Sequence, residues 1–312
     1  MIGIKTISKA SVLLVSALIA GLTVSGHAFA FSPTMGESMD NLVQNSSDIP
    51  ELLSAFSYMC GIVLAFLAIV KLKDHVINPN QTPMSDSIKR FLAGGAFFAL
   101  PTVAEAAQNA FGQYFGGGLW GDFNATPTGA VGGLDDIMVN MMTDIWPSVN
   151  VLISVFCYLA GLILVIIGIS RLLKTSQEGA RGPAGFGTMM TFLVGGILLS
   201  FDAMLGAFSE SFFNNNGNLQ TFAVLQFSDN TTDMTHVNNV IAACLAFMII
   251  VGLISFVRGW FIIRDVAEGN HQASLMAGMT HIFGGALAVN LGPVLNAVQL
   301  TFGLQQYGII FS

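Results

Sequence analysis

The sequence predicts an all-α polytopic membrane protein, with three tandem transmembrane helical hairpins, six membrane helices in all, after a cleavable signal peptide. Three observations carry this. Hydrophobic residues make up 53% of the 312 and charged ones only 9%, against roughly 25% charged in a soluble domain. Leu52 to Val70, Ser148 to Ser170 and Asn238 to Val257 hold no charge over 19, 23 and 20 residues, long enough to cross a hydrocarbon core of ~30 Å at about 1.5 Å per residue. The chain also repeats itself, the first unit returning one hundred residues later. The composition excludes a water-soluble globule and a disordered chain. There is no Gly-X-Y period for a collagen, and three Cys do not make a disulfide scaffold.

Residues 1–30 come first. Lys5 and Lys9 precede the apolar run Ala10 to Val24, and Ala28-Phe29-Ala30 follows. This is the charged, apolar and small-residue order of a signal peptide cleaved after Ala30, with an uncleaved signal anchor as the alternative. The first hairpin unit occupies 31–115, with spans at about 52–70 and 91–109. In it, Phe56-Ser57-Tyr58-Met59-Cys60-Gly61 opens an apolar run to Lys71, and Phe91-Leu92-Ala93-Gly94-Gly95 opens the second helix.

The second unit, 116–213, has spans at about 148–170 and 189–209. It repeats both elements as Phe156 to Gly161 running to Arg171, and as Phe192-Leu193-Val194-Gly195-Gly196. The third, 214–312, has spans at about 238–257 and 275–300, and is weaker: Cys244 to Arg258 matches Cys157 to Arg171 in spacing, and Gly284-Gly285 matches the paired glycines. The second helices carry polar residues (Pro101 and Glu105, Asp202, His281 and Pro293), tolerated where they face protein or a cavity.

Charge gives topology independently. Apart from the two leader lysines, every basic residue (Lys71, Lys73, Lys89, Arg90, Arg171, Lys174, Arg181, Arg258 and Arg264) lies in or beside the three loops inside the hairpins. Five of the 18 acids join them: Asp74, Asp86, Glu178, Asp265 and Glu268. The positive-inside rule therefore places these loops in the cytoplasm as basic anchors of a bacterial inner-membrane protein, with the mature N-terminus, the inter-unit linkers and the C-terminus periplasmic.

Gly116 to Gly133 and Asn214 to Asp233 read as external linkers. Leu134, Ile137, Met138, Met141 and Ile145 recur at helical spacing, and Met35, Met39, Leu42 and Val43 give a shorter version. Both suit interfacial amphipathic helices, or helices packed on the protein's own outer surface.

Several residues are candidates for function. Gly61, Gly94, Gly95, Gly161, Gly195, Gly196, Gly284 and Gly285 let helix backbones approach closely, within a hairpin or between subunits. Glu105, Asp202 and Glu210 are acids in or near spans; Asp202, midway along its segment, serves transport or hydrogen-bonds a neighbouring helix. Aligning the paired glycines sets Pro101 against Asp202, and Asn109 and Glu210 against Gln299. His236, His271 and His281 form no metal-ligand pattern, His75 and Asp74 read as solvated, and Cys60, Cys157 and Cys244 read as packing residues. No phosphate-binding loop, nucleophile elbow or dinucleotide fingerprint stands in its strand-turn-helix context. The expectation is a protein without catalytic residues, metal or cofactor.

The F-x-Y-x-x-G hairpin (Phe56 to Gly61, Phe156 to Gly161), short basic loop and F-L-x-G-G second helix (Phe91 to Gly95, Phe192 to Gly196) resemble the small inner-membrane proteins of type IVB secretion systems. The similarity is to the DotE/IcmC and DotP/IcmD type and their counterparts in IncI-type conjugation; here the hairpin stands three times where those proteins carry one or two. The resemblance implies a structural part of an export apparatus for protein or DNA. Its partners would be other inner-membrane subunits, membrane lipids and further copies of the chain, without direct nucleic-acid binding. A pilin-like subunit, or a small-solute transporter or channel using Asp202, are the alternatives.

The topology predicts that alkaline phosphatase fused after Asn80 or Ser176 is inactive, and that fusions after Thr126, Asn230 or Ser312 are active. Activity at Asn80 or Ser176 would overturn it.

Overall fold

The computed structural model describes residues 34–46, 49–112, 133–173, 182, 185–213, 223–225, 231–303 and 309–311. The expected signal peptide, most of both linkers, and Lys174, Glu178 and Arg181 lie outside them. The regular secondary structure of the described residues is helical apart from one short strand pair, β1 (Ala223–Leu225) antiparallel to β2 (Ile309–Phe311). The helices in chain order are α1 (Met35–Ser46), α2 (Ile49–Ile77), α3 (Met84–Gly112), α4 (Leu134–Leu172), α5 (Phe186–Leu199), α6 (Phe201–Phe213), α7 (Thr231–Ala267), α8 (Leu275–Val289) and α9 (Leu291–Thr301).

The three uncharged stretches lie inside α2, α4 and α7, which are long and apolar enough to cross a membrane. These helices outrun the predicted spans at both ends, because charge does not stop a helix. Lys71, Lys73, Arg171, Arg258 and Arg264, expected in loops or at their edges, lie within the helices, and Arg171 and Arg264, in last turns, complement the negative end of the helix dipole.

Of the six expected spans, the described residues give three membrane-length helices, or up to five if each bent pair is one span; α5/α6 turns by 84° and α8/α9 by 82°. α3 has the length, 29 residues, but Lys89 and Arg90 near its start and Pro101 and Glu105 further on interrupt its apolar content.

Both bends fall five residues past a glycine of the paired-glycine element, at Ser200 (φ -112, ψ 35) and Asn290 (φ -102, ψ 34). Pro293 explains the second: in a continuous helix its ring would clash with the Val289 carbonyl, whereas in the first turn of α9 its missing N–H costs nothing. Asn290 Nδ2 donates to the Ala286 carbonyl (2.9 Å) and so serves the interrupted end of α8. α3 passes through Pro101 unbroken. Proline leaves the Phe97 carbonyl without its helical donor, and the buried Ser57 hydroxyl on α2 donates to it instead.

Each hairpin closes on a pair of glycines. A Cβ on Gly61 would stand 2.9 Å from the Gly94 carbonyl oxygen, one on Gly161 2.9 Å from that of Gly195, and one on Gly252 2.8 Å from that of Gly285. No side chain fits there. This corrects the repeat in unit three: the partner of Gly94 and Gly195 is Gly285 rather than Gly284, and Gly252 is the counterpart of Gly61 and Gly161. Met248, not Cys244, therefore stands where unit two has Cys157, and Leu300 replaces Gln299 as the match to Asn109 and Glu210.

Units two and three share one core, centred on Leu198, Leu205, Ile249, Leu253 and Phe256. Unit one joins it through smaller contacts, Leu100 and Ala104 with Leu162 and Leu199, and Ala93 and Phe97 with Ile169. α6 lies over unit three with Phe208 edge-on to Phe256, ring centroids 5.4 Å apart, and with the Ser209 hydroxyl donating to Asn290 Oδ1 at 2.6 Å.

Of the two amphipathic segments, one differs from expectation and the other takes the second of its two expected forms, packed on the protein itself. The stretch from Leu134 is not a separate interfacial helix but the first turns of α4, and its buried face carries Val139, Met142 and Trp146 while Ile137 and Met141 point outward. α1 packs on that part of α4. Thr34 and Glu37 form a reciprocal capping box, Glu37 N–H to Thr34 Oγ1 (3.2 Å) and Thr34 N–H to Glu37 Oε2 (3.0 Å). The Gly36 N–H donates to Asp144 Oδ2 at 2.8 Å, placing a carboxylate at the positive end of α1.

Gly161→Leu or Gly252→Leu forces two backbones apart and is expected to cost at least about 2 kcal/mol of stability, read by denaturant unfolding in detergent micelles. Gly196→Leu, on the open side of α5 beside the crossing glycine Gly195, should cost far less; equal losses would refute the crossing.

Candidate functional site

Within each hairpin the glycines divide into two groups. Gly61, Gly94, Gly161, Gly195 and Gly285 form the crossings, together with Gly252, which the sequence reading missed because its copy lacks the Phe-x-Tyr lead-in. Gly95, Gly196 and Gly284 have nothing within 4 Å of a built Cβ. They lie on the outward face, so each unit presents one flat spot away from its own partner helix. The signal for Gly252 was present: it stands 33 residues before Gly285, as Gly61 stands 33 before Gly94.

The acids are not gathered into one place. Glu105 and Glu210 are exposed, on α3 and α6. Asp202, expected midway along its span, sits in the first turn of α6 just past the bend, exposed at a helix N-terminus. There the free N–H groups and the helix dipole favour a carboxylate. His281 Nδ1 lies 3.0 Å from the Ser255 hydroxyl. His75, expected to be solvated, hydrogen-bonds the Thr82 carbonyl at 2.6 Å and closes the first loop.

The basic anchors separate by environment. In unit one Lys71 pairs with Asp74 at 3.6 Å, both well exposed, and such a pair contributes little. Lys73 and Arg258 are exposed, while Lys89 and Arg90 are half-buried. Between units two and three an ionic cluster has formed instead, largely buried at Arg171 and Glu268. Arg171 at the end of α4 donates through Nη2 to Glu268 Oε1 (2.8 Å) and through Nη1 to Thr191 Oγ1 on α5 (2.9 Å). Arg264 holds Asp265 at 2.7 Å, reaches Glu268 at 3.4 Å and lies 5.6 Å from the Phe261 ring centroid. The Arg171 and Glu268 side chains are only 12% and 6% exposed, so their charges are matched in a setting where an unpaired one is costly. The sequence showed these residues as members of separate loops; their meeting depends on how the second and third hairpins pack.

The apolar lengths of α2, α4 and α7 define a membrane-embedded helical protein. No family model, curated protein or solved structure matches the chain.

Glu268→Gln leaves the Arg171 guanidinium without its carboxylate, an expected loss of about 3 kcal/mol, and Arg171→Gln should cost less, because Arg264 still reaches Glu268 at 3.4 Å. The double variant should lose clearly less than the sum of the two. Additive losses in a double-mutant cycle, measured by unfolding in micelles, would show that the pair is not coupled.

Proposed function

We propose that the chain is a structural inner-membrane component of a type IVB secretion or conjugative transfer apparatus, which packs through its Gly-rich helices and supports export of protein or DNA. The observation that carries this reading is the threefold recurrence of one glycine-closed hairpin, each copy with an outward glycine, Gly95, Gly196 or Gly284. Membrane helices associate through such small-residue surfaces, and the F-x-Y-x-x-G and F-L-x-G-G elements resemble those of type IVB inner-membrane proteins. In this reading a signal peptide is removed and each unit crosses the membrane twice. The hairpin loops are cytoplasmic, and the N-terminus, linkers and C-terminus are periplasmic. Partners are other inner-membrane subunits and lipids, with homo-oligomers formed on the same faces.

One observation favours a second reading, a small-solute transporter or channel. The repeats do contain two sharply bent helix pairs, at equivalent positions and linked by the Ser209–Asn290 hydrogen bond, and interrupted helices are where transporters bind substrates. Asp202 would be the residue used.

The two readings separate in one set of experiments. The tagged full-length chain, extracted gently from its native membrane, should migrate with a large envelope complex, and its deletion should abolish export. A chain that runs alone, with export intact in the deletion strain, would sink the first reading. Solute flux in proteoliposomes lost on Asp202→Asn would support the second.

A further inference from the structure

The three hairpins differ at one place, seven residues from the crossing glycine toward the loop. Unit two has Gly168 there, and the Phe192 ring packs on it, 2.9 Å from a built Cβ. Unit three has Gly259, filled by Ile282 at 2.5 Å. Unit one has Ala68, 3% exposed, and Phe91, the counterpart of Phe192, is turned outward and 63% exposed. The alanine methyl takes the room that lets Phe192 seat. What remains is an apolar groove of about 360 Å³ between α2 and α3, lined by residues that include Ala68, Ile69, Leu72, Ser87, Ile88 and Phe91.

Two further observations say what fills it. Ser87 is buried in the groove wall, and its hydroxyl has no hydrogen-bond partner. Its counterpart in unit two, Thr188, donates to the Gly182 carbonyl at 2.8 Å, and in unit three the position is Gly278. Three cations lie on the loop-side ends of the same two helices, Lys73 one turn beyond Ile69 on α2, and Lys89 and Arg90 directly after Ile88 on α3; none lines the groove, and none forms an ion pair with a described residue. This hairpin is also the peripheral one: α2 buries 17% of its apolar window within the protein, against 33% for α4 and 50% for α7.

We propose that the groove seats an acyl chain of an anionic phospholipid, with the phosphate attracted by Lys73, Lys89 and Arg90 and an ester oxygen accepting from the Ser87 hydroxyl. Hydrocarbon suits the lining. An acceptor oxygen at the depth of Ser87 satisfies the orphan donor, and the cations on the loop-side ends of α2 and α3 select negative charge, as basic clusters beside membrane helices do for acidic headgroups. A second copy of this face would bring the same cations against one another. The inference rests on membrane embedding and is independent of the export role.

The test uses the full-length protein in detergent, offered phosphatidylglycerol and phosphatidylcholine in equal amounts, with retained lipid counted by native mass spectrometry. One phosphatidylglycerol should be retained in preference to phosphatidylcholine. Lys89→Gln with Arg90→Gln should weaken that binding roughly tenfold, and Ile88→Trp, which fills the groove, should remove it. Met189→Trp, the same change at the equivalent exposed position of unit two, should leave it unchanged. Equal retention of both lipids would mean ordinary boundary lipid and would overturn the proposal, as would a dimer that Ile88→Trp dissociates. The Lys89/Arg90 variant leaves the groove lining intact, so a folding failure of Ile88→Trp does not protect the idea.

Discussion

In every hairpin two backbones touch where a glycine on the first helix faces a glycine carbonyl on the second, and in the third they touch again at Gly259 and Gly278. The contact is reciprocal, since a Cβ on Gly94 would come within 3.0 Å of the Gly61 carbonyl oxygen and one on Gly285 within 2.6 Å of that of Gly252. In lipid there is no hydrophobic force to push helices together, so close packing and polar contacts must hold them. The crossing sets the register of everything beyond it. Seven residues away, a second small position on the first helix (Ala68, Gly168 or Gly259) faces Ser87, Thr188 or Gly278 on the second, and one methyl at that place separates a closed hairpin from a grooved one.

The outer halves diverge because backbone groups freed from helical pairing must find partners inside the protein. In unit one the Ser57 hydroxyl serves the carbonyl that Pro101 leaves open, and α3 runs on. In unit three Pro293 meets no such donor on the neighbouring helix, the chain breaks at Asn290, and the asparagine serves its own helix end while accepting from Ser209. Unit two breaks at the equivalent residue without a proline. There the new helix gains Phe201 and Phe208 against Phe256, so tertiary packing supports the bend. Together these contacts join units two and three into one core and leave unit one at the side, more exposed to its surroundings.

The same asymmetry runs through the charges. Lys71 and Arg171 occupy equivalent positions, yet the first has an exposed partner three residues away and the second a buried one ninety-seven residues away. A loop-side cation stays at the surface in unit one and is part of an inter-unit clamp in unit two. An assembly subunit would need such a distinction: a fixed pair of hairpins as a base, and a peripheral hairpin whose faces remain open to lipid or to neighbours.

By itself the sequence determined the helical membrane class, the tandem repetition and the close approach of glycines in the first two units. These follow from composition, uncharged length and spacing, all local properties of a chain in a solvent that cannot hydrogen-bond its backbone. The Phe91 and Phe192 elements were equally legible, though not that one would point out and the other in. Tertiary structure alone decided the register of the third repeat, the two bends, the merging of the amphipathic stretch into α4, and the meeting of Arg171 with Glu268. Each depends on which group from a distant segment arrives to fill a space or satisfy a donor. Ser57 at Phe97 and Asp144 at Gly36 are sequence neighbours of nothing they bind, and no periodicity in the chain could have announced them.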